Sequence, residues 1–264
     1  MADLFNMDLY RMVKARSFRI CLALSFLVSL AHTPLLKLLD VLAKMFSQGG
    51  EHLETLVGPS ANLSGLIGRP FPLLAPILIM LSVVLFYYAD MENGYIKNIA
   101  GQMPKRGFSI LSRFLASAVH NAVFAAVCLI GGIIGTAMCQ KIVADGAVVN
   151  GVICFFLKLM LLQSLCSVLL MVTSSLRSKS FGIVLATLFG VGATGLIYSA
   201  VDSGLNMLVK GFAIAPYMPD TLLETVWNAQ TGELQTLRAL LSAAVTTGIF
   251  LPAAIRIFDK KDVK

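Results

Sequence analysis

The chain has 264 residues, of which 57% are hydrophobic and only 13% charged, and its mean hydropathy is +0.82. A soluble domain carries roughly 25% charged residues and has no place to bury several uncharged runs of about 20 residues. The composition therefore excludes a soluble protein and indicates an integral membrane protein. The net charge of +7 is explained by basic flanks of membrane spans and requires no nucleic-acid partner.

The first 14 residues predict an amphipathic helix. At helical spacing the side chains separate onto two faces, with Leu9, Met12 and Val13 on one and Asp8, Arg11 and Lys14 on the other. We expect this helix to lie on the inner leaflet before the first span, and a simple basic flank that orients that span is compatible with the same residues. No small-residue cleavage site follows, so a cleaved signal peptide is not expected.

Six uncharged or nearly uncharged runs predict membrane-spanning helices, at about residues 18–37, 71–89, 109–138, 149–173, 181–201 and 238–257. At 1.5 Å per residue, each run can cross a hydrocarbon core of about 30 Å. The predicted fold is an all-α membrane protein, one transmembrane domain over residues 1–264. Arg113, just before the uncharged part of the third run, is expected at the membrane interface.

Lysine and arginine residues are distributed unequally between the two sides of the predicted membrane. Fourteen of the 21 basic residues fall on the side of the N-terminus and six on the other, with Lys158 left inside a span. Because cytoplasmic loops carry the excess of Lys and Arg, this predicts that both termini are cytoplasmic. The predicted location is the cytoplasmic membrane of a bacterial-type cell.

Glycine pairs and broken segments add two structural predictions. Gly131 and Gly135 form a small-xxx-small pair, which predicts close helix packing in the third span, and the glycines at 190, 192 and 195 predict a narrow face on the fifth.

The moderately polar connector 202–238 predicts short helices on the outer face. Such helices would form either a lid over an exit path or an ordinary interfacial connector.

Chemistry-bearing motifs are few. The sequence contains no metal-ligand spacing, no catalytic constellation and no P-loop, so we expect neither an enzyme nor a metal site, and no cofactor in this chain. Three polar residues within spans are candidates for a cavity or interface. Lys158 either snorkels to the interface or faces an internal cavity, whereas His120 and Asn121 are expected to hydrogen-bond between helices rather than bind a ligand.

The polar segment 90–106 lies between the second and third apolar runs, on the predicted cytoplasmic side. Its central residues are Asp90, Glu92, Asn93, Gly94, Tyr95, Ile96, Lys97 and Asn98, and Pro104, Lys105 and Arg106 follow. A short charged segment between spans is either a solvated connector or a contact for something outside the membrane. This pattern, together with six spans, cytoplasmic termini and a basic N-terminal helix that opens Asp8-Leu9-Tyr10-Arg11, resembles the permeases of ABC-2 type transporters. In motif the likeness covers about two dozen residues, and in size it is most similar to the small permeases of lantibiotic immunity and peptide export.

The resemblance implies a function and a set of partners. Such a permease pairs with a separate ATPase subunit, which holds ATP and Mg²⁺, and with a second permease, either an identical copy or a sister chain, within the lipid bilayer. The segment from Asp90 to Asn98 would be the coupling helix that contacts the ATPase. Export of an amphipathic peptide, a lipid or a hydrophobic drug would follow from the apolar spans and the modest outer loops. The alternative is a membrane protein without an ATPase, namely a channel, a secondary carrier or a structural subunit.

Overall fold

The computed structural model describes residues 2–46, 58–72, 74–92, 107–176, 178–208, 213–226 and 233–260. Within these ranges the chain is a bundle of helices with one small sheet. The helices are α1 (Ala2–Lys14), α2 (Arg16–Phe46), α3 (Leu63–Gly68), α4 (Ala75–Glu92), α5 (Gly107–Ala137), α6 (Val148–Leu176), α7 (Lys179–Val191), α8 (Thr194–Leu208), α9 (Pro219–Thr225) and α10 (Glu233–Lys260). A 3-10 turn, Ala215–Tyr217, precedes α9, and the strands β1 (Ser60–Asn62) and β2 (Lys141–Val143) pair in parallel.

Several of these helices have the length and composition of membrane spans. Among the described residues, α2, α5, α6 and α10 each qualify alone, and α7 with α8 qualifies as a fifth span if the bent pair is counted as one. The apolar part of α4, Ala75–Ala89, is shorter. The predicted all-α class and its long apolar helices are confirmed, as are short helices in the connector between the fifth and sixth apolar runs.

Helix α6 lies at the centre of the bundle. It packs against α3, α4, α5, α7, α9 and α10, and its Leu161, Leu165 and Leu169 are buried. Helices α2 and α10 are peripheral and leave apolar side chains exposed, among them Leu24 and Leu27 on α2. Exposed apolar faces on long helices are what a lipid environment accepts.

The glycine pair of α5 packs against α2, as predicted. A Cβ on Gly131 would lie 3.0 Å from the carbonyl oxygen of Phe26, and one on Gly135 would overlap the carbonyl of Leu30. The two backbones therefore approach so closely that a side chain at Gly135 would force α2 and α5 apart, and one at Gly131 would make a tight contact. The prediction of a close helix interface is confirmed.

The predicted fifth span, 181–201, is broken rather than continuous. Gly192 adopts a left-handed conformation with φ +72°, and α7 and α8 meet at an angle of 77°. The Gly192 N–H bonds back to the carbonyls of Leu188 and Phe189, which ends α7. The prediction of one narrow glycine face was therefore wrong: Gly190 packs against Ile77 of α4, whereas Gly195 has open space beside it.

Side-chain contacts identify two ends of the bundle. At the N/C end, which carries α1 and the last turns of α10, Gly107 packs against Ile255 and Asp259, and the Tyr88 hydroxyl donates to the carbonyl of Ser178. At the far end, Lys37 Nζ donates to the carbonyl of Cys139 at 2.9 Å. Both boundaries of segment 93–106, the end of α4 and the start of α5, lie at the N/C end.

At the far end, contacts among Ser64, Asp145 and Gly151 hold α3 across the start of α6, and we call these three residues the far-end cap. Asp145 accepts hydrogen bonds from the Ser64 N–H, at 3.1 Å, and from the Ser64 hydroxyl. Gly151 lies directly beneath, where a Cβ would be 2.5 Å from the Ser64 carbonyl oxygen. The cap fixes the position of the chain that leaves α3 toward α4.

Candidate functional site

Two of the predicted coupling residues fall at the N/C end of the bundle. Asp90 and Glu92 belong to the last turn of α4, and α4 ends at Glu92. Asn93, Gly94, Tyr95, Ile96, Lys97 and Asn98 lie outside the described residues. Their assignment to a coupling helix stays a prediction.

Two charged residues that were expected at the surface are buried near this end. Asp8 of α1 is 1% exposed and accepts a hydrogen bond from the Ser112 hydroxyl of α5. Arg113, expected at the interface, is also 1% exposed, and it interacts electrostatically with Tyr87 of α4. The predicted faces of α1 are therefore corrected: Asp8 packs against the bundle beside Met12, and Val13 is 50% exposed.

His120 lies in a buried polar network between α4, α5 and α6. Its Nε2 is 3.0 Å from the Ser82 hydroxyl, and its Nδ1 is 3.3 Å from the Asn121 amide oxygen. Because the amide oxygen of Asn121 can only accept, Nδ1 donates to it, whereas the Ser82 hydroxyl can serve either as donor or as acceptor for Nε2. The ring also stacks on Phe124, with centroids 4.3 Å apart.

Asn121 extends the network to α6. Its amide nitrogen donates to Gln163 Oε1 at 2.9 Å, and Gln163 Nε2 donates in turn to the carbonyl of Phe114 at 2.8 Å and to Ser117 Oγ at 3.1 Å. Both ring nitrogens of His120 and the amide groups of Asn121 and Gln163 therefore have partners. Such a network links helices and leaves no polar group of these three side chains free for a ligand.

A cavity of about 400 Å³ opens at the far end between α6, α7, α9 and the chain after α3. Four charged side chains and several apolar ones line it: Arg69, Lys158, Asp220, Glu224, Phe71, Pro72, Pro76, Phe189, Val191 and Leu223. Lys158 and Asp220 are buried, at 5% and 2% exposure, whereas Arg69 and Glu224 lie at the exposed mouth. The structure thus places Lys158 in a cavity and separates it from His120 and Asn121.

Helix α9 supplies the acidic wall of this cavity. Asp220 accepts a hydrogen bond from the Thr194 hydroxyl at the start of α8, and Glu224 packs against Gly192, where any Cβ would overlap the carboxylate. Burial, together with the negative charge of Asp220, raises the pKa of Glu224. The α7–α8 break therefore makes the space into which α9 inserts its two carboxylates.

Sequence reasoning missed most of the residues that complete these two sites. Asp220 and Glu224 are four apart in a short helix that begins with a proline, which is a usable signal for one charged helix face. Gln163 and Ser82 carry no comparable signal, because a single polar residue in an apolar run does not reveal which neighbour it meets. No group of three metal-ligating side chains occurs among the described residues.

The sequence was also compared with known proteins. No protein-family model matches the chain, and the search of curated proteins finds no significant match.

Proposed function

We propose that this chain is the membrane-spanning permease subunit of an ATP-driven transporter of the ABC-2 type. In this proposal a separate ATPase subunit holds ATP and Mg²⁺, a second permease completes the translocation path, and the cargo is an exported amphipathic peptide, lipid or hydrophobic drug. The observation that carries the proposal is the 93–106 segment. Its residues resemble a coupling helix, and both of its flanking helices end where α1 and the last turns of α10 lie.

Six spans with cytoplasmic termini belong to the same proposal. Helix α4 has 18 residues, about 27 Å at 1.5 Å per residue, close to the core thickness of about 30 Å. It contributes the second span, and α7 with α8 contributes a bent fifth. The N/C end then faces the cytoplasm, in agreement with the excess of basic residues on that side.

The packing of α4 and α5 supports a role for the segment between them as a mechanical input. Helix α4 contacts α7 closely, since a Cβ on Gly182 would lie 3.0 Å from both Tyr88 and Val84. Helix α5 is joined to α6 by Asn121 and Gln163. A displacement of the segment would therefore move α4 with α7 and α5 with α6, as rigid units.

Co-purification of an ATPase from the native host in mild detergent tests this proposal. The test variant changes Glu92 and Tyr95 to alanine. A matched control changes Glu233 and Tyr217, the same residue types at the far end, where both are exposed. We expect the wild type and the control to retain a P-loop ATPase and the test variant to lose it. Substrate transport by the purified chain without any ATPase would refute the proposal.

A further inference from the structure

The far-end cavity contains a buried cation without a hydrogen-bond or ion-pair partner among the described residues, although it interacts electrostatically with Cys154. Lys158 is 5% exposed, and its ammonium group makes no hydrogen bond or ion pair with any described residue. An isolated buried ammonium group is costly, and such groups normally pair with a counter-charge. Space for a ligand adjoins it, because Lys158 lines the cavity of about 400 Å³.

A second cation lines the same cavity. Arg69 at the cavity mouth interacts with Lys158 as a like charge. Two cations facing one space attract an anion that can be shared between them. Phosphate suits this arrangement, because it offers several acceptor oxygens to an ammonium and a guanidinium group.

Two acidic side chains of α9 line the same cavity. Asp220 and Glu224 lie on one side of α9 and interact with each other as like charges. A cationic group placed between them and the cavity centre would relieve that repulsion. The cavity therefore has basic groups on α6 and the chain after α3 and acidic groups on α9, which match a ligand that carries both charges.

Lys158 lies inside the hydrocarbon core near its far-end boundary, from which a long basic side chain can extend toward the headgroup region. Helix α6 has 29 residues and is about 43 Å long, roughly 13 Å longer than the hydrocarbon core. Lys158 is ten residues from its first residue, Val148, or about 15 Å along the axis. Phe71, Phe189 and Leu223 add apolar surface beside the charges, where acyl chains would begin.

We propose that the far-end cavity binds a zwitterionic phosphate–amine group, with the phosphate on Lys158 and Arg69 and the amine facing Asp220 and Glu224. A phosphatidylethanolamine headgroup in the bilayer and a soluble phosphoethanolamine are two sources of this chemistry. Binding of this ligand requires no ATPase, so it can be tested independently of the proposed transport function.

Native mass spectrometry of the detergent-purified full chain tests the site. The probes are phosphatidylethanolamine, phosphatidic acid, which lacks the amine, and diacylglycerol, which lacks both charges, all with the same acyl chains. Because one charge-assisted hydrogen bond corresponds to about a tenfold change in affinity or more, we expect wild-type affinity to fall at each step of this series. Equal binding of diacylglycerol and phosphatidylethanolamine would overturn the proposal.

Variants of the cavity-lining residues test which side chains contact the phosphate and which contact the amine. Lys158→Met is expected to weaken phosphatidylethanolamine binding about tenfold or more, whereas Lys141→Gln, at an exposed far-end lysine outside the cavity, leaves it unchanged. Arg69→Gln, at the exposed mouth, tests the same wall without altering the core. Unchanged binding in both the Lys158 and the Arg69 variants would overturn the phosphate assignment.

Glu224→Gln tests the amine half. We expect it to abolish the preference for phosphatidylethanolamine over phosphatidic acid, and a preference equal to that of the wild type would overturn the zwitterion assignment. Competition by soluble phosphoethanolamine then identifies the source. If phosphoethanolamine displaces the lipid, the headgroup alone is sufficient for binding. If it does not, and lipid binding still depends on Lys158, the ligand is a membrane lipid.

Discussion

The network around His120 and the cavity around Lys158 both contain buried polar side chains of the same bundle, but they differ in charge and in the partners that these side chains find. In the network, His120, Asn121 and Gln163 find partners on neighbouring helices. In the cavity, Lys158 finds none among the described residues, and the surrounding charges leave a space. The first arrangement holds helices together, and the second leaves binding capacity for a ligand.

Burial alone therefore does not distinguish a structural polar residue from a binding one. Both His120 and Lys158 are at least nine-tenths buried. The difference lies in whether neighbouring helices supply every partner, because an unsatisfied buried group costs free energy that only a ligand or a change of charge state can recover. The predictions that follow test this distinction.

Breaking the His120 network should have the largest effect. Asn121→Leu removes hydrogen bonds to His120 and Gln163 and leaves the buried His120 and the half-buried Gln163 without those partners, so we expect a loss of about 3 kcal/mol in the free energy of unfolding. Reversible unfolding in mixed detergent micelles measures it. Adding Gln163→Leu removes one of the two side chains that Asn121→Leu leaves without a partner. The double variant should therefore lose less free energy of unfolding than the sum of the losses in the two single variants. Additive costs would show that the network is not coupled.

Gly190→Ala should disrupt the cavity wall. Its Cβ would lie 2.6 Å from Cα of Ile77, so α4 and α7 would have to separate, at an expected cost of about 2 kcal/mol. Gly195→Ala is the matched control, because nothing lies within 4 Å of its Cβ. Thermal unfolding followed by circular dichroism compares the two. Equal midpoints would mean that this close approach does not define the cavity.

Lys158→Met should stabilise the protein in lipid-free detergent. The change removes a buried ammonium group that has no described partner, and we expect a gain of about 1 to 2 kcal/mol. Added phosphatidylethanolamine should stabilise the wild type and narrow this difference. A destabilised variant in lipid-free detergent would indicate that Lys158 already has a protein partner, as the His120 network does.

The smallest effect concerns pH at the far-end cap. Hydrogen bonds from Ser64 lower the pKa of Asp145 below its ordinary value. This carboxylate therefore contributes stability above its unfolded pKa, and the contribution is lost as pH falls through the lower folded pKa. Ser64→Ala should reduce the acid sensitivity of unfolding, measured across the acidic range. An identical pH profile in that variant would show that the cap does not set the pKa.

The positions of the long helices were predictable because hydrophobicity determines which runs of sequence can enter a membrane. Helices α5 and α6 begin and end within a few residues of the predicted 109–138 and 149–173. Helix α2 continues to Phe46, well past the predicted 37. A charged residue such as Lys37 ends an apolar run but does not end a helix.

The sites were less predictable, since each combines residues that are distant in sequence. Lys158 was identified because a lysine within a span is unusual, but its surroundings required Arg69 and Glu224 from two other segments. Arg113 was assigned to the interface because it lies just before the uncharged part of the third apolar run. Packing of α1 and α4 over α5 buries it instead.

By itself, the sequence determined the class of this protein, the approximate helices and the unusual polar segment between two of them, because these depend on local composition and its partition between lipid and water. Only the tertiary structure decided which buried polar groups are paired and which face a cavity. That outcome depends on helix packing and on the break at Gly192, which lets α9 place Asp220 and Glu224 on the wall of the cavity that Lys158 also lines.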